Sequence, residues 1–280
     1  MHNLEIGPLY VTFIRTVRVK ELNTSNLPPG LGVMEVYKVS DYECPNHWDK
    51  NGYFIALHET EAMWMNFQCC TPVALLIGAG GINAISGEKF KSKLIKGNYV
   101  VTPPQPWLDG WKNADGSVYQ FVSTTAGEGK SVGEQLINTQ DHAMQLSVYE
   151  AKNPEKLQSM HTPRTTWGWS DSEKCESEIQ ICSFNCCNNA SEMAIGKGGK
   201  ITQKIYEDPH GIEAWKENPA KYVKIYLINA AQFAEITKTE MPSKPISAEE
   251  YKGIWYDLSD DCINDVPGTQ IFDKLKNVGK

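Results

Sequence analysis

The sequence predicts an all-β protein, an antiparallel β-sandwich or barrel with a few short helices in its C-terminal third. Three observations support this fold class. Apolar and polar residues alternate with a period of two in several short runs. Turn residues separate these runs at intervals of about 8–12 residues, as in sandwiches and barrels. Residues 1–150 show almost no apolar spacing of the helical kind.

The first predicted strand is LYVTFIRTVRV, residues 9–19. Leu9, Val11 and Phe13 fall on one face and mostly polar residues fall on the other, so one face is expected to be buried. Arg15 interrupts the apolar stripe. An arginine at this position either pairs with a carboxylate or is available to a ligand.

Further short strands are predicted after a turn at LPPGLG. They are the runs GVMEVYKV, GYFIALHE, EAMWMNFQ, PVALLIG, SVYQFVST, SVGEQLI and AMQLSVYE, separated by turn residues. Residues 1–150 are therefore predicted to form the core of the sandwich or barrel.

The composition changes after residue 150. Residues 151–199 are polar and contain cysteines, and they are predicted to be an insertion or linker. Residues 200–280 are expected to return to the same core with the strand runs KITQKIYE and KYVKIYLINAAQFAEI. Short helical segments are predicted at DPHGIEAWKEN, at GTQIFDKLKNVGK and after a capping box formed by Ser247 and Glu250.

Charge and hydropathy exclude several kinds of partner. A net charge of −7 gives no basic surface, so no nucleic-acid partner is expected. No apolar run approaches the roughly 18 residues of a membrane-spanning helix, so no membrane insertion is expected. The first residues lack the basic and then apolar pattern of a secretory signal, and the predicted location is cytoplasmic.

The cysteines predict neither a disulfide scaffold nor a metal site. Eight cysteines are sparse in 280 residues, so free thiols are expected. Cys175, Cys182, Cys186 and Cys187 lack the paired CxxC clips of zinc sites. A Cys-based metal or redox sensor is kept as an alternative function. No cofactor is predicted, because GAGGIN lacks the third glycine and the following helix of a dinucleotide-binding fingerprint.

No sequence motif identifies a catalytic residue. The enzymatic alternative is a carbohydrate-active or other hydrolase, which requires two carboxylates at one cleft. The candidates for that pair are Glu59, Glu61, Asp109 and Glu134.

The segment VVTPPQPWLDGW, residues 100–111, is the candidate binding loop. Its prolines stiffen the backbone and reduce the entropy lost on binding. Trp107 and Trp111 can stack on a sugar ring or an apolar partner, and Asp109 supplies an acceptor. The structural alternative is that Trp107 plugs the end of a β-sandwich. The predicted binding residues are Trp107, Asp109, Trp111, Trp64 and Arg15.

Several phrases along the chain resemble a microbial protein family. They are IGPLYVTFIRTVRV, LPPGLG, ETEAMWMNF, GGINAISG, YVVTPPQPWLDG, QKIYEDPHGIEAW and GIWYDLSDD. The similarity extends from near residue 6 to near residue 265 and is weakest at residues 155–195. The resemblance implies one continuous unit, and it implies no activity, cofactor or site residue.

The predicted function is that of a non-enzymatic, soluble binding or self-assembling structural protein. Eight tryptophans and twelve tyrosines supply large contact areas at low entropic cost, which is why these residues are enriched at interfaces. Contact is expected through exposed strand edges and the aromatic loop. The expected partner is a second copy of the chain, forming a homo-oligomer, or another protein or a glycan.

Overall fold

A computed structural model describes residues 1–19, 24–157, 189–245 and 264–278, and this part of the chain is dominated by β-strands. The prediction of an all-β, antiparallel fold is confirmed. The two α-helices of the described residues are α1, Val132–Ile137, and α2, Ala230–Thr237. The strands are β1 Leu4–Ile6, β2 Leu9–Thr16, β3 Tyr37–Lys38, β4 Tyr53–Ala56, β5 Ala62–Cys69, β6 Val73–Ala79, β7 Ile82–Asn83, β8 Val100–Thr102, β9 Trp107–Leu108, β10 Gly110–Lys112, β11 Ser117–Thr125, β12 Met144–Glu150, β13 Glu192–Thr202 and β14 Lys221–Ile228.

All 14 strands belong to one sheet. Its main path is β1-β2-β5-β11-β13-β14-β12-β6-β7, with β9 beside β5, β10 beside β11, β8 beside β6, and β4 between β14 and β3. Paired strands are antiparallel except β4 and β14, which are parallel. The two ends of the path, β1 and β7, do not pair with each other. The described strands therefore form an open sheet and not the barrel alternative.

One large hydrophobic cluster joins strands from both ends of the sheet. In β2, buried Leu9, Val11 and Phe13 alternate with the more exposed Tyr10 and Thr12, as the period of two predicts. One face each of β5, β6, β12 and β14 belongs to the same cluster, so the sheet folds over its own apolar face in the manner of a sandwich. The opposite faces of β6 and β12 carry a smaller cluster.

Two predicted strand runs contain a helix instead. SVGEQLI forms α1 because Ser131 and Glu134 make a capping box, in which each side chain accepts a hydrogen bond from the other's backbone amide. The run KYVKIYLINAAQFAEI is a strand only as far as Ile228. Asn229 then caps α2 by accepting from the Gln232 amide at 2.9 Å. In both places a local cap outweighs the alternating apolar pattern.

The predicted insertion at residues 151–199 is described only at its two ends. β13 begins at Glu192 and so occupies the last part of that range, whereas residues 158–188 lie outside the described residues. The capping box at Ser247 and Glu250 also lies outside them. The helical segments predicted at DPHGIEAWKEN and GTQIFDKLKNVGK contain 3-10 turns, Ile212–Ala214 and Ile271–Lys274.

Residues 264–278, named here the C-terminal strap, lie across β10, β11 and β13. The strap supplies partners to two buried lysines of these strands. Lys112 Nζ donates to Asp265 Oδ2 at 2.6 Å, and Lys197 Nζ donates to the Phe272 carbonyl at 3.0 Å. Burial lowers the pKa of Lys112, and the charge of Asp265 opposes this shift. The strap therefore supplies the carboxylate that pairs with the buried ammonium of Lys112.

Candidate functional site

The five predicted binding residues are all buried. Their exposed fractions are 6% for Trp107, 1% for Asp109, 0% for Trp111, 5% for Trp64 and 8% for Arg15. The chain thus brings the residues of the aromatic loop into its interior and does not present them at the surface. Their binding role stays a prediction, and the contacts below show what they do in the fold.

The two tryptophans of the loop fill the hydrophobic core. The Trp111 ring contacts the rings of Phe121 and Phe272 at centroid distances of 5.2 Å, and its Nε1 donates to the Gly196 carbonyl at 3.2 Å. Trp107 belongs to the same large cluster. This arrangement corresponds to the plug that the sequence offers as the alternative to a binding loop.

Two glutamines fasten the loop to the chain that follows β13. Gln105 Nε2 donates to the Trp107 carbonyl at 2.9 Å, and Gln105 Oε1 accepts from the Tyr206 amide at 2.8 Å. Gln203 Nε2 also donates to the Trp107 carbonyl, at 3.1 Å. Because both amide side chains are buried and bonded, the loop is held in one conformation.

Asp109 is a buried carboxylic acid whose side chain makes few hydrogen bonds with the described residues. Its Oδ2 accepts from Trp107 Nε1 at 3.2 Å, while Oδ1 has no hydrogen-bond partner among the described residues. Burial raises the pKa of Asp109 to about 8, and the bond from Trp107 offsets only part of that rise. The carboxyl group is therefore mostly protonated at neutral pH.

Arg15 pairs with a carboxylate, which confirms one of the two interpretations of its position. Its guanidinium Nε donates to Glu61 Oε1 at 2.6 Å, and Glu61 is also buried. A second guanidinium nitrogen donates to the Lys244 carbonyl at 2.6 Å. Arg15 also lines a cavity of about 110 Å³. Its ligand-binding role stays a prediction.

Three of the four carboxylates proposed for a hydrolase have different roles in the fold. Glu61 is bound to Arg15, Glu134 serves the capping box of α1, and Asp109 lies inside the core. Glu59 is only partly buried. None of the four lines either of the two cavities described here.

The described cysteines, Cys44, Cys69 and Cys70, are free thiols. Burial raises the pKa of the Cys69 thiol to about 11, against a hydrogen bond to the Thr102 carbonyl that lowers it. The proposed sensor cysteines between Cys175 and Cys187 lie outside the described residues. Within the described ranges, no group of three or more His, Cys, Asp or Glu is arranged to hold a metal.

A second cavity, of about 260 Å³, has a different character. Three loops that are distant in sequence form its walls: the segment before β8, the segment after β13, and the C-terminal strap. We call it the Tyr99–Asp208 cavity. Its lining residues are Lys96, Gly97, Tyr99, Glu207, Asp208, Gly211, Ile212, Val266 and Pro267.

Asp208 holds two of these walls together. Its Oδ2 accepts from the Tyr99 hydroxyl at 2.5 Å and from Trp215 Nε1 at 2.8 Å, while Oδ1 accepts from the His210 amide at 2.8 Å. Burial and the hydrogen bond to Asp208 both raise the pKa of Tyr99, so its hydroxyl keeps its proton. The carboxylate of Asp208 is thus committed to the frame of the cavity.

The third wall is fixed by backbone contacts. The Ile205 amide donates to Asp265 Oδ1 at 2.8 Å, and the Val266 amide donates to the Ile205 carbonyl at 2.7 Å. The Glu207 amide donates to the Asn264 carbonyl at 2.9 Å. The strap therefore forms one side of the cavity in a defined register.

Two glycines with positive φ line the cavity. Gly97 and Gly211 have φ values of +86° and +78°, in the region that disfavours residues with a Cβ. A Cβ built at either position would meet no other atom within 4 Å. The backbone at both glycines therefore borders open space.

Two charged side chains of the lining have no partner among the described residues. Among the described residues, none donates a hydrogen bond to the Glu207 carboxylate and none pairs with the Lys96 ammonium. Glu207 is partly buried, whereas Lys96 is exposed. A rigid frame with unpaired charges is the arrangement expected of a preformed ligand site.

Sequence reasoning did not identify this cavity. Its residues come from positions 96–99, 207–212 and 266–267, so no local spacing connects them. The available signal was the turn DPHG, in which Asp208 precedes proline and Gly211 supplies the positive φ.

Comparisons with models of known protein families, with curated proteins and with solved structures gave no match, so no family is assigned. In the described part of the chain, no helix has both the length and the apolar character required to cross a membrane.

Proposed function

We propose that the protein is a non-enzymatic binding protein and that its ligand site is the Tyr99–Asp208 cavity. The observation that carries the proposal is the contrast within the lining: Asp208 is fully used in holding the walls, while Glu207 and Lys96 have no partner among the described residues. Polar groups that a fold leaves unpaired beside open space are available to a ligand.

The size of the cavity limits the ligand. Drug-sized molecules occupy pockets of about 300–1,000 Å³, and this cavity measures about 260 Å³. A small metabolite or the end group of a larger molecule fits this volume. The walls supply apolar contact through Ile212 and Val266, and the backbone of Gly97 and Gly211 is accessible.

Fragment binding followed by NMR tests the proposal. A set of neutral and charged fragments is titrated while the amide signals of Gly97 and Gly211 are recorded. Saturable shifts of both signals are expected. Ile212→Trp, on the cavity wall, should abolish them, whereas Ile95→Trp places the same ring at an exposed position outside the lining and should not. Shifts that persist in Ile212→Trp would assign binding to another place.

Self-assembly through sheet edges is a second candidate. Within the described strands, β1 pairs only with β2, so it has a free edge that can template another strand, whereas residues 87–90 cover the outer edge of β7. Tyr10 and Tyr222 add exposed aromatic surface on β2 and β14. Light scattering over a wide concentration range tests this candidate. A discrete oligomer is expected, and a mass of 31.4 kDa at every concentration would exclude it.

A further inference from the structure

The charge of the Tyr99–Asp208 cavity is net negative. Its lining contains two carboxylates, Glu207 and Asp208, and one ammonium, that of Lys96. Asp208 already accepts three hydrogen bonds from the frame. None of the described residues donates to the Glu207 carboxylate, so this is the acidic group that can receive a donor from a ligand.

The two unpaired charges do not act with equal strength. Lys96 is exposed, so water and salt screen its field. Glu207 is partly buried beside the apolar side chains of Val266 and Ile212, where the effective dielectric constant is lower. A charge on the ligand will consequently interact more strongly with Glu207 than with Lys96, which favours a positive charge.

The rest of the lining is suited to a short apolar group. Tyr99 and Val266 are almost fully buried and form a rigid surface, and Ile212 is 37% exposed at the opening. Enclosing an apolar group here removes its surface and that of Ile212 from water, which favours binding.

From these observations we infer that the ligand is a small organic cation, an amine that carries a short apolar group. Its ammonium donates to the Glu207 carboxylate, and its apolar part lies against Tyr99, Ile212 and Val266. This inference rests on the proposed binding function of the cavity and adds the chemical class of the ligand.

Three probes of the same shape test the inference: benzylamine, benzyl alcohol and benzoate. Each is titrated into the full-length protein at pH 7 while the Gly97 and Gly211 amide signals are followed. Benzylamine is expected to bind about tenfold more tightly than benzyl alcohol, because a charge-assisted hydrogen bond exceeds a neutral one by about that factor. Benzoate is expected to bind most weakly.

Two variants test whether the preference for benzylamine depends on Glu207. Glu207→Gln keeps the shape of the side chain and removes its charge, so benzylamine should fall to the affinity of benzyl alcohol. Glu213→Gln is the matched control, since Glu213 is an exposed glutamate of the same loop that does not line the cavity. Its benzylamine affinity should be unchanged. Unaltered spectra outside the cavity show that both variants are folded.

The outcomes separate this inference from the proposal on which it rests. If benzylamine and benzyl alcohol shift both glycine signals with equal affinity, or if benzoate binds best, the cavity is a ligand site but the cationic class is wrong. If benzylamine binding survives Glu207→Gln, the assignment of Glu207 is wrong. If none of the probes shifts either signal at millimolar concentration, the inference and the proposed function fail together.

Discussion

The aromatic loop begins one residue after Tyr99, which lines the Tyr99–Asp208 cavity, but the two regions use their polar groups in opposite ways. In the loop, Gln105 is bonded within the core, Gln203 donates to the loop from the chain after β13, and Asp109, with one carboxylate oxygen unbonded among the described residues, loses its charge. In the cavity, Asp208 is bonded while Glu207 remains available beside open space. The aromatic and proline residues of the loop thus indicate buried apolar area. The polar groups that can bind a ligand lie instead in the cavity, where a rigid backbone leaves them unpaired among the described residues.

The largest expected effect concerns the loop. Trp111→Ala removes a ring that is 0% exposed and that contacts two other rings. The free energy of unfolding should fall by about 3–5 kcal/mol, measured by urea denaturation. Trp111→Phe should lose less, because it retains most of the apolar volume. A loss well under 1 kcal/mol for Trp111→Ala would show that the loop is not part of the core.

Ionisation of buried Asp109 should lower the free energy of unfolding as the pH rises. The unfolded chain releases the Asp109 proton near pH 4, but the folded chain retains it up to about pH 8. Stability should therefore decline by about 1.4 kcal/mol per pH unit between these values and level off above them. Asp109→Asn should remove this contribution, which denaturation at pH 5 and pH 8 will show.

Asp115→Asn is the control for this pH dependence. Burial raises the pKa of Asp115, but hydrogen bonds from Lys200 and Ser117 lower it, to about 2. Its stabilising contribution is present above the ordinary pKa and disappears as the pH falls through the lowered one. Asp115→Asn should leave the slope between pH 5 and pH 8 unchanged. An equal change of that slope in both variants would refute the assignment to Asp109.

A smaller loss of stability is expected when the hydrogen bond between the cavity walls is removed. Tyr99→Phe removes the hydrogen bond to Asp208 and should reduce the free energy of unfolding by about 1 kcal/mol. Benzylamine should also bind more weakly, because the two walls are no longer joined. Tyr222→Phe, at an exposed tyrosine of β14, should change neither quantity.

The smallest effect on stability should come from the residue that matters most for binding. Glu207 makes no side-chain hydrogen bond or ion pair with another described residue. Glu207→Gln should therefore change the free energy of unfolding by no more than about 0.5 kcal/mol. A destabilisation above 1 kcal/mol would show that Glu207 is part of the fold and weaken the comparison between the two regions.

The fold class could be predicted from the sequence because the alternation of Leu9, Val11 and Phe13, and of similar runs, is a local property. The capping box of Ser131 and Glu134 was also local, but it competed with an apolar alternation in the same run. The pairing of Arg15 with a carboxylate was predictable, since a charge on a buried stripe needs a partner.

The cavity and the burial of the loop could not be predicted in the same way. Whether Trp111 is exposed depends on Phe272, which lies far along the chain and covers it. Likewise, Tyr99 and Asp208 meet only because the sheet brings the segments before β8 and after β13 together. Contacts of this kind are set by topology and not by spacing.

The C-terminal strap has a consequence for the order in which the protein matures. Lys112 and Lys197 are synthesised long before Asp265 and Phe272, which each supply one hydrogen-bond acceptor to them. A nascent chain that has emerged only as far as β14 lacks the carboxylate of Asp265, which pairs with the buried ammonium of Lys112 in the folded protein. We therefore expect the sheet to complete its core after the strap leaves the ribosome, and chains stalled before it to be targets for chaperones and proteases.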